Sequence, residues 1–234
     1  MKRITLTIIV SLSLLAPALC RAQGKIYTRK ARLEDFPAKT TQVVLSGNPI
    51  LDASIKEEIA SRWRISPYEF CSVSEYKTLK ESQGHYFLRM ADDGDFTYLI
   101  ASKGGKEKDT DPMKEGFDIV SCPISGAGDA LGSGIVYLPA YIDIVQDFIE
   151  QARVSDRVAY SGLKGIVSKG ASKSGVVTDA KEAETLFLEG APGMRIGISI
   201  RSADGKSTYR MIVGTDTNKL HYIKKEAVRE PQNP

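Results

Sequence analysis

The residues that build most metal and redox sites are scarce in this chain. Its 234 residues include three Cys, two His and one Trp. No two cysteines have the Cys-x-x-Cys spacing of thiol-exchange and zinc sites. The two histidines, His85 and His221, are far apart and form no His-x-x-x-His pair. We therefore expect no bound metal, and nothing in the sequence predicts a cofactor.

Long apolar runs are also lacking, except for one at the start of the chain. This run, Ile4 to Leu15, is too short to span a bilayer comfortably and excludes a polytopic membrane protein. Lys2 and Arg3 precede it and Pro17 follows it, which is the pattern of a secretory signal peptide.

We predict that residues 1–22 are a signal peptide, cleaved after Ala22 to leave Gln23 first, with cleavage after Cys20 as the alternative. The mature chain then has no transmembrane helix, and we expect it in the periplasm or secreted. Lipid anchoring through Cys20 is not expected, because Leu19 stands where a lipobox prefers a small residue.

An excess of charge of one sign is absent from the mature chain. Lys2, Arg3 and Arg21 lie in the predicted signal peptide, so the remaining residues carry 29 basic and 29 acidic side chains. A neutral domain has no electrostatic attraction for nucleic acid or for an anionic membrane. We therefore predict no nucleic-acid partner.

The periodicity of apolar residues predicts both helices and strands. Leu51, Ile55, Ile59 and Trp63 recur every four residues and predict a helix over 49–64. Ser72 and Glu75 form a capping box at the start of a short helix. A third helix is predicted from Pro139 to as far as Ser161. Strands are predicted over 41–46, 65–71, 85–90, 96–102 and 117–124.

The last part of the chain predicts a β-meander, because apolar residues alternate along 194–200 and 209–213 around an Asp204-Gly205 turn. The predicted fold class is α/β or α+β. A mixed sheet with flanking helices, in the order β-α-β-α-β-β-β-α, precedes a small C-terminal β-meander with one helix.

Four segments follow from these patterns. Residues 1–22 are the signal peptide, and 23–161 form the main α/β domain, beginning with an extended lead-in over 23–40. Residues 162–178 are rich in Gly, Ser and Lys and are predicted to form a linker or loop. Residues 179–234 form a β-rich C-terminal subdomain.

Two cysteines remain in the mature chain, Cys71 and Cys122. Each falls in a predicted apolar strand. In an oxidising compartment they could form a disulfide. The alternative is two buried thiols that act as small hydrophobic side chains.

Two segments are candidate binding regions. The aromatic residues Trp63, Tyr68 and Phe70 could anchor a partner, although the helical stripe favours packing of Trp63 in the core. Residues 125–134 (SGAGDALGSG) resemble a phosphate cradle, but they do not lead directly from a strand into a helix, so we favour a flexible loop.

The sequence also resembles a family of proteins. The segments 43–88 (VVLSGNPI to GHYFL), 96–105 (FTYLIASKGG) and 136–163 (VYLPAYID to AYSGL) resemble uncharacterised secreted proteins of Bacteroides-type Gram-negative bacteria. The similarity covers roughly residues 30–165 and rests on packing residues. It implies a cell-envelope location and no assigned activity.

These observations favour a non-enzymatic cell-envelope protein that binds another envelope protein or a glycan. The reason is an export signal combined with a complete set of core elements and no catalytic motif. The alternative is a periplasmic hydrolase or another enzyme whose site is assembled from distant residues.

Overall fold

The computed structural model describes residues 28–129, 132–167 and 174–228. The predicted signal peptide and Cys20 lie outside these residues. Six α-helices and two mixed sheets make up the described chain, which confirms the mixed α/β class. Within the described residues, no helix combines the length and the apolar composition needed to cross a bilayer.

The first sheet has five strands in the spatial order β2-β1-β3-β4-β5. Strand β1 pairs in parallel with both β2 and β3, and the remaining pairs are antiparallel. Strands β2 and β5 are therefore its two edges. The strands are β1 (Thr40–Val44), β2 (Tyr68–Cys71), β3 (His85–Asp92), β4 (Phe96–Lys103) and β5 (Phe117–Gly126).

Helices cover this sheet unequally. The helices are α1 (Arg29–Arg32), α2 (Pro49–Arg62), α3 (Val73–Leu79), α4 (Leu138–Ala152), α5 (Asp156–Ser161) and α6 (Ala180–Leu188). Helices α2 and α4 pack on one face, where ten residues of α4 are buried. Among the described residues, the other face carries the short helix α3, whose Tyr76 and Leu79 pack against the cluster that contains Phe87. The two crossovers β1-α2-β2 and β2-α3-β3 run in opposite directions along the sheet, which places their helices on opposite faces.

The second sheet has four strands in the order β6-β7-β8-β9. Strands β7 (Arg195–Arg201), β8 (Ser207–Gly214) and β9 (Leu220–Ala227) form the predicted meander. Strand β6 (Val176–Val177) has only two residues and pairs in parallel with the start of β7.

Both sheets contribute to one hydrophobic core. Leu33 and Phe36 near the start of the described chain belong to the same buried cluster as Leu220 and Ile223 of β9. Side chains tie the parts together as well: the Asn218 amide donates to Asp143 of α4 at 2.7 Å. The predicted main domain and C-terminal subdomain thus share their interior.

Three local predictions are corrected by the structure. The lead-in over 23–40 is not extended where it is described, because Thr28 caps α1 and Phe36–Ala38 form a 3₁₀ helix. The helix from Pro139 ends at Ala152, because Ser155 leaves the helical conformation and caps a separate helix, α5. The start of the predicted linker is packed, since Leu163 and Ile166 are buried.

Of the two alternatives for Cys71 and Cys122, the structure has the free thiols, both of them buried. Cys71 lies on β2 and Cys122 on β5, the opposite edges of the five-stranded sheet. Four strand spacings separate them by about 19 Å, whereas a disulfide requires Cα atoms within about 7 Å. Burial raises the pKa of both thiols, so both remain protonated.

Candidate functional site

The aromatic residues predicted as binding anchors do not form one surface. Trp63 is 5% exposed, and its indole N–H donates to the Ser66 hydroxyl at 3.0 Å. It therefore packs in the core, as the helical stripe indicates. Tyr68 is half-buried against the same core, and only Phe70 is exposed, with 37% of its surface accessible.

A cleft of about 420 Å³ lies instead where the two sheets meet. Its first wall is the end of β5 and the following loop, Ile124 to Ala127. Its second wall is the edge of β7 and the turn after it, from Gly197 to Ala203. The start of α6 closes one side, and Tyr137 and Tyr141 form the floor. This volume lies within the range of about 300–1,000 Å³ that is typical of ligand pockets.

Two close approaches of the backbone shape this cleft. A β carbon at Gly126 would lie 2.6 Å from the Arg201 carbonyl oxygen, so glycine allows β5 to meet the end of β7. A β carbon at Gly134 would lie 2.2 Å from the Ile124 carbonyl oxygen, so the 3₁₀ helix Ser133–Tyr137 can lie against β5. Gly126 and Gly134 therefore serve backbone packing at this junction.

One carbonyl group fixes the narrow end of the cleft. The Asp95 carbonyl in the β3–β4 turn accepts the Ala127 N–H at 3.0 Å and the Ala203 N–H at 2.9 Å. These two amides follow β5 and β7, so a single acceptor holds the ends of both strands together.

Two hydroxyl groups in the cleft have no hydrogen-bond partner. The Ser125 Oγ and the Tyr141 hydroxyl are both buried, and neither bonds to any atom of the described chain. Tyr141 is completely buried and Ser125 is 7% exposed. An unpaired buried hydroxyl costs about 1–3 kcal/mol, and nearly all such groups in proteins are paired. Both residues also line a small void of about 10 Å³.

The chemistry of the cleft favours recognition by hydrogen bonds. Burial raises the pKa of Tyr141 well above its ordinary value, and burial followed by the charge of Glu184 raises that of Tyr137. Both phenols are therefore neutral and can donate and accept hydrogen bonds. Asp129 and Glu184 are the acidic side chains of the lining, and no ion pair within the described residues involves either.

Two residue types that often act as general bases are missing from the described lining of the cleft. It contains neither histidine nor lysine. His85 begins β3 and His221 lies on β9, and burial together with Arg195 and Lys219 lowers the pKa of His221. In the described ranges, no three His, Cys, Asp or Glu side chains converge in a way that could hold a metal ion.

A wider depression of about 950 Å³ lies on the outer face of the meander and is lined by basic residues. Its charges are largely matched within the protein. Glu226 contacts Arg210 at 3.3 Å and Lys224 at 3.1 Å, and the Arg201 guanidinium donates to the Gly205 carbonyl at 3.4 Å. The cleft, with its two unpaired hydroxyls, is therefore the stronger candidate site.

The sequence singled out residues 125–134 but not the other wall of the cleft. Ser125 was noted only as part of that glycine-rich segment and Tyr141 by no motif. Strand β7 is about 70 residues further along the chain. For β7 the sequence shows only the alternation of apolar and polar residues that predicts the meander. Comparison with known proteins gives no match to this chain among protein-family models, curated proteins or solved structures.

Proposed function

We propose that this chain is an exported, non-enzymatic binding protein of the cell envelope, and that the cleft between its two sheets is the ligand site. The observation that carries the proposal is the pair of buried hydroxyls, Ser125 Oγ and Tyr141 OH, that lack partners in one cleft. Both oxygens are closed off from solvent in the free protein, so a polar ligand reaches them only by displacing neighbouring side chains of the lining; it would then supply the missing partners and recover the desolvation free energy of both.

Binding is favoured over catalysis by the residue types in the cleft. A serine nucleophile needs an adjacent general base and a group that orients the base. Ser125 is the serine on the β5 wall, and no histidine or lysine is among the described lining residues. A hydrolase is thus the weaker alternative.

The envelope location is supported by the N-terminal sequence. Lys2, Arg3 and the apolar run Ile4 to Leu15 have the order of a signal peptide, and the resemblance to secreted proteins agrees with it. Cell fractionation tests this part. The mature chain, starting at Gln23, is expected in the periplasmic or extracellular fraction, and a full-length cytoplasmic chain would contradict export.

Ligand-observed NMR tests the cleft. The probes are a panel of dipeptides, amino sugars and neutral and acidic disaccharides, mixed with the mature protein. We compare wild type with the Ser125→Ala/Tyr141→Phe double variant. Two lost hydrogen bonds of about 1 kcal/mol each predict a loss of at least about tenfold in affinity.

The matched control is Ser61→Ala/Tyr160→Phe, which removes the same two hydroxyl types at exposed positions. This control variant is expected to bind like wild type. The assignment of the cleft fails if no probe binds the wild type, or if the Ser125/Tyr141 variant binds as tightly.

A further inference from the structure

One edge of β7 faces the cleft without a partner strand. Strand β6 pairs only Val176 with Arg195 and Val177 with Ile196, and the chain then leaves the sheet to begin α6 at Ala180. No described strand pairs with residues 197–201 on this side. These residues line the cleft in unbroken succession, as the edge of a strand does.

The hydrogen-bond pattern identifies which backbone groups point into the cleft. The Ser202 N–H donates to Ser207 on the β8 side, whereas the Ala203 N–H donates to Asp95 on the cleft side. Because successive residues of a strand alternate in direction, Ser199 and Arg201 direct their N–H and C=O groups toward the cleft. Ser199 is at the centre of the open stretch. Its side chain lines the outer face of the meander instead.

An open strand edge is complementary to an extended peptide. It presents donors and acceptors at a regular spacing, which another strand matches by pairing alongside it. Gly126 packs against the Arg201 carbonyl and the end of β6 lies beside Gly197, so the open edge is the three residues from Ile198 to Ile200, about 10 Å long at about 3.3 Å each. Glu184 and Asp129 line the same cleft without an ion pair in the described chain, so a basic side chain complements them.

We propose that the cleft accepts an extended peptide segment bearing Lys or Arg, which adds to β7 as a strand beyond the end of β6. The inference rests on the proposed function and names the class of its ligand. The peptide backbone pairs with Ser199, and its basic side chain contacts Glu184 or Asp129. The sheet then gains a strand where β6 stops short.

A displayed library of random heptapeptides tests this inference on the mature protein. The matched variants are Ser199→Pro, which removes the edge N–H, and Ser199→Ala, which removes only the hydroxyl. Proline is tolerated on a strand edge whose N–H faces away from the neighbouring strand. Circular dichroism checks that both variants are folded. We expect enrichment of peptides with β-branched residues and Lys or Arg on wild type and on Ser199→Ala, but not on Ser199→Pro.

A second measurement needs no variant. A synthetic peptide from the library is N-methylated at alternate amides, which blocks backbone pairing and keeps every side chain. We expect binding to weaken at least about tenfold for one register of methylation, the effect of losing one or two hydrogen bonds. Replacing Glu184 and Asp129 by Gln and Asn should remove the preference for Lys and Arg.

The outcomes separate the two proposals. Equal selection on Ser199→Pro, equal binding of both N-methylated registers, or no selected peptide overturns strand addition. If the small-molecule panel still binds in a manner that needs Ser125 and Tyr141, the cleft remains the ligand site. If neither probe class binds, both proposals fail.

Discussion

Two buried tyrosines of this protein differ in whether their hydroxyl group has a hydrogen-bond partner. The Tyr86 hydroxyl bonds to the Asp35 carboxylate and to the Arg32 carbonyl, beside the buried Lys103 ammonium. The Tyr141 hydroxyl has no partner in the described chain. The same substitution therefore removes a satisfied group at one site and an unsatisfied group at the other.

We expect Tyr141→Phe to stabilise the free protein by about 1 kcal/mol and Tyr86→Phe to destabilise it by about 2 kcal/mol. Urea unfolding of both variants measures this difference. A neutral or destabilising Tyr141→Phe would contradict it and would indicate that a water molecule in the adjacent 10 Å³ void bonds to the hydroxyl.

A single carboxylate on α4 opposes folding at neutral pH. Burial, then Glu150 and Asp143, raise the pKa of Asp147, and only Lys219 lowers it. A carboxyl group whose pKa is raised on folding contributes most to the stability of the folded state below its unfolded pKa of about 3.9. Its contribution is lost as the pH rises through the folded value.

We therefore expect Asp147→Asn to raise the free energy of unfolding at pH 7 by about 0.5 kcal/mol, the size of a like-charge pair one helical turn apart. At pH 3 the gain should vanish. Thermal unfolding at the two pH values checks this, with Glu57→Gln on the exposed face of α2 as control. An equal gain at both pH values would contradict the assignment to charge.

At the scale of elements, helix α3 depends on its first residue. The Ser72 hydroxyl accepts the Glu75 N–H at 3.2 Å, and the Glu75 carboxylate accepts the Ser72 N–H at 2.7 Å. This capping box begins the helix whose Tyr76 and Leu79 pack against Phe87 and Cys71. We expect Ser72→Ala to reduce the free energy of unfolding by about 1 kcal/mol.

Urea unfolding measures the effect of Ser72→Ala. The matched control is Ser61→Ala near the end of α2, where the hydroxyl only bonds back to the Glu58 carbonyl. That substitution should change stability by less than about 0.5 kcal/mol. Equal effects of the two substitutions would show that the capping box does not stabilise the fold.

The elements that the sequence predicted well are those with local causes. The apolar residues of α2 recur every four positions, and the capping box of α3 lies within one turn of helix. The meander is indicated by alternating apolar and polar residues along β7. The break between α4 and α5 was missed because the apolar pattern continues through Val154, which is exposed in the structure. The helical stripe likewise indicated correctly that Trp63 packs inside.

The cleft could not be predicted, because its causes are not local in the sequence. Its walls come from strands joined by no local pattern, and their approach depends on Gly126, Gly134 and the shared carbonyl of Asp95. Whether Ser125 has a partner is decided by residues that are distant in the sequence. The choice between a disulfide and two free thiols was open in the sequence for a similar reason, because strand order decides the distance between Cys71 and Cys122.

The whole molecule should unfold as one unit, because both sheets share a core and Asp143 joins α2, α4 and the β8–β9 turn. Asp143 contacts Arg62 at 3.1 Å and Asn218 at 2.7 Å. We expect Trp63 fluorescence and hydrogen exchange in residues 209–213 to report the same urea midpoint. Two separated midpoints would show that the meander folds independently.

The shared core also affects when the chain can fold during its synthesis. Phe36 packs against Trp63 and Tyr86, whereas Leu220 and Ile223 of β9 complete the same buried cluster, so part of the core is missing until β9 is made. A growing chain on the ribosome therefore lacks a closed interior until β9 has emerged. Late closure of this kind keeps part of the polypeptide unfolded until the last strand has been synthesised.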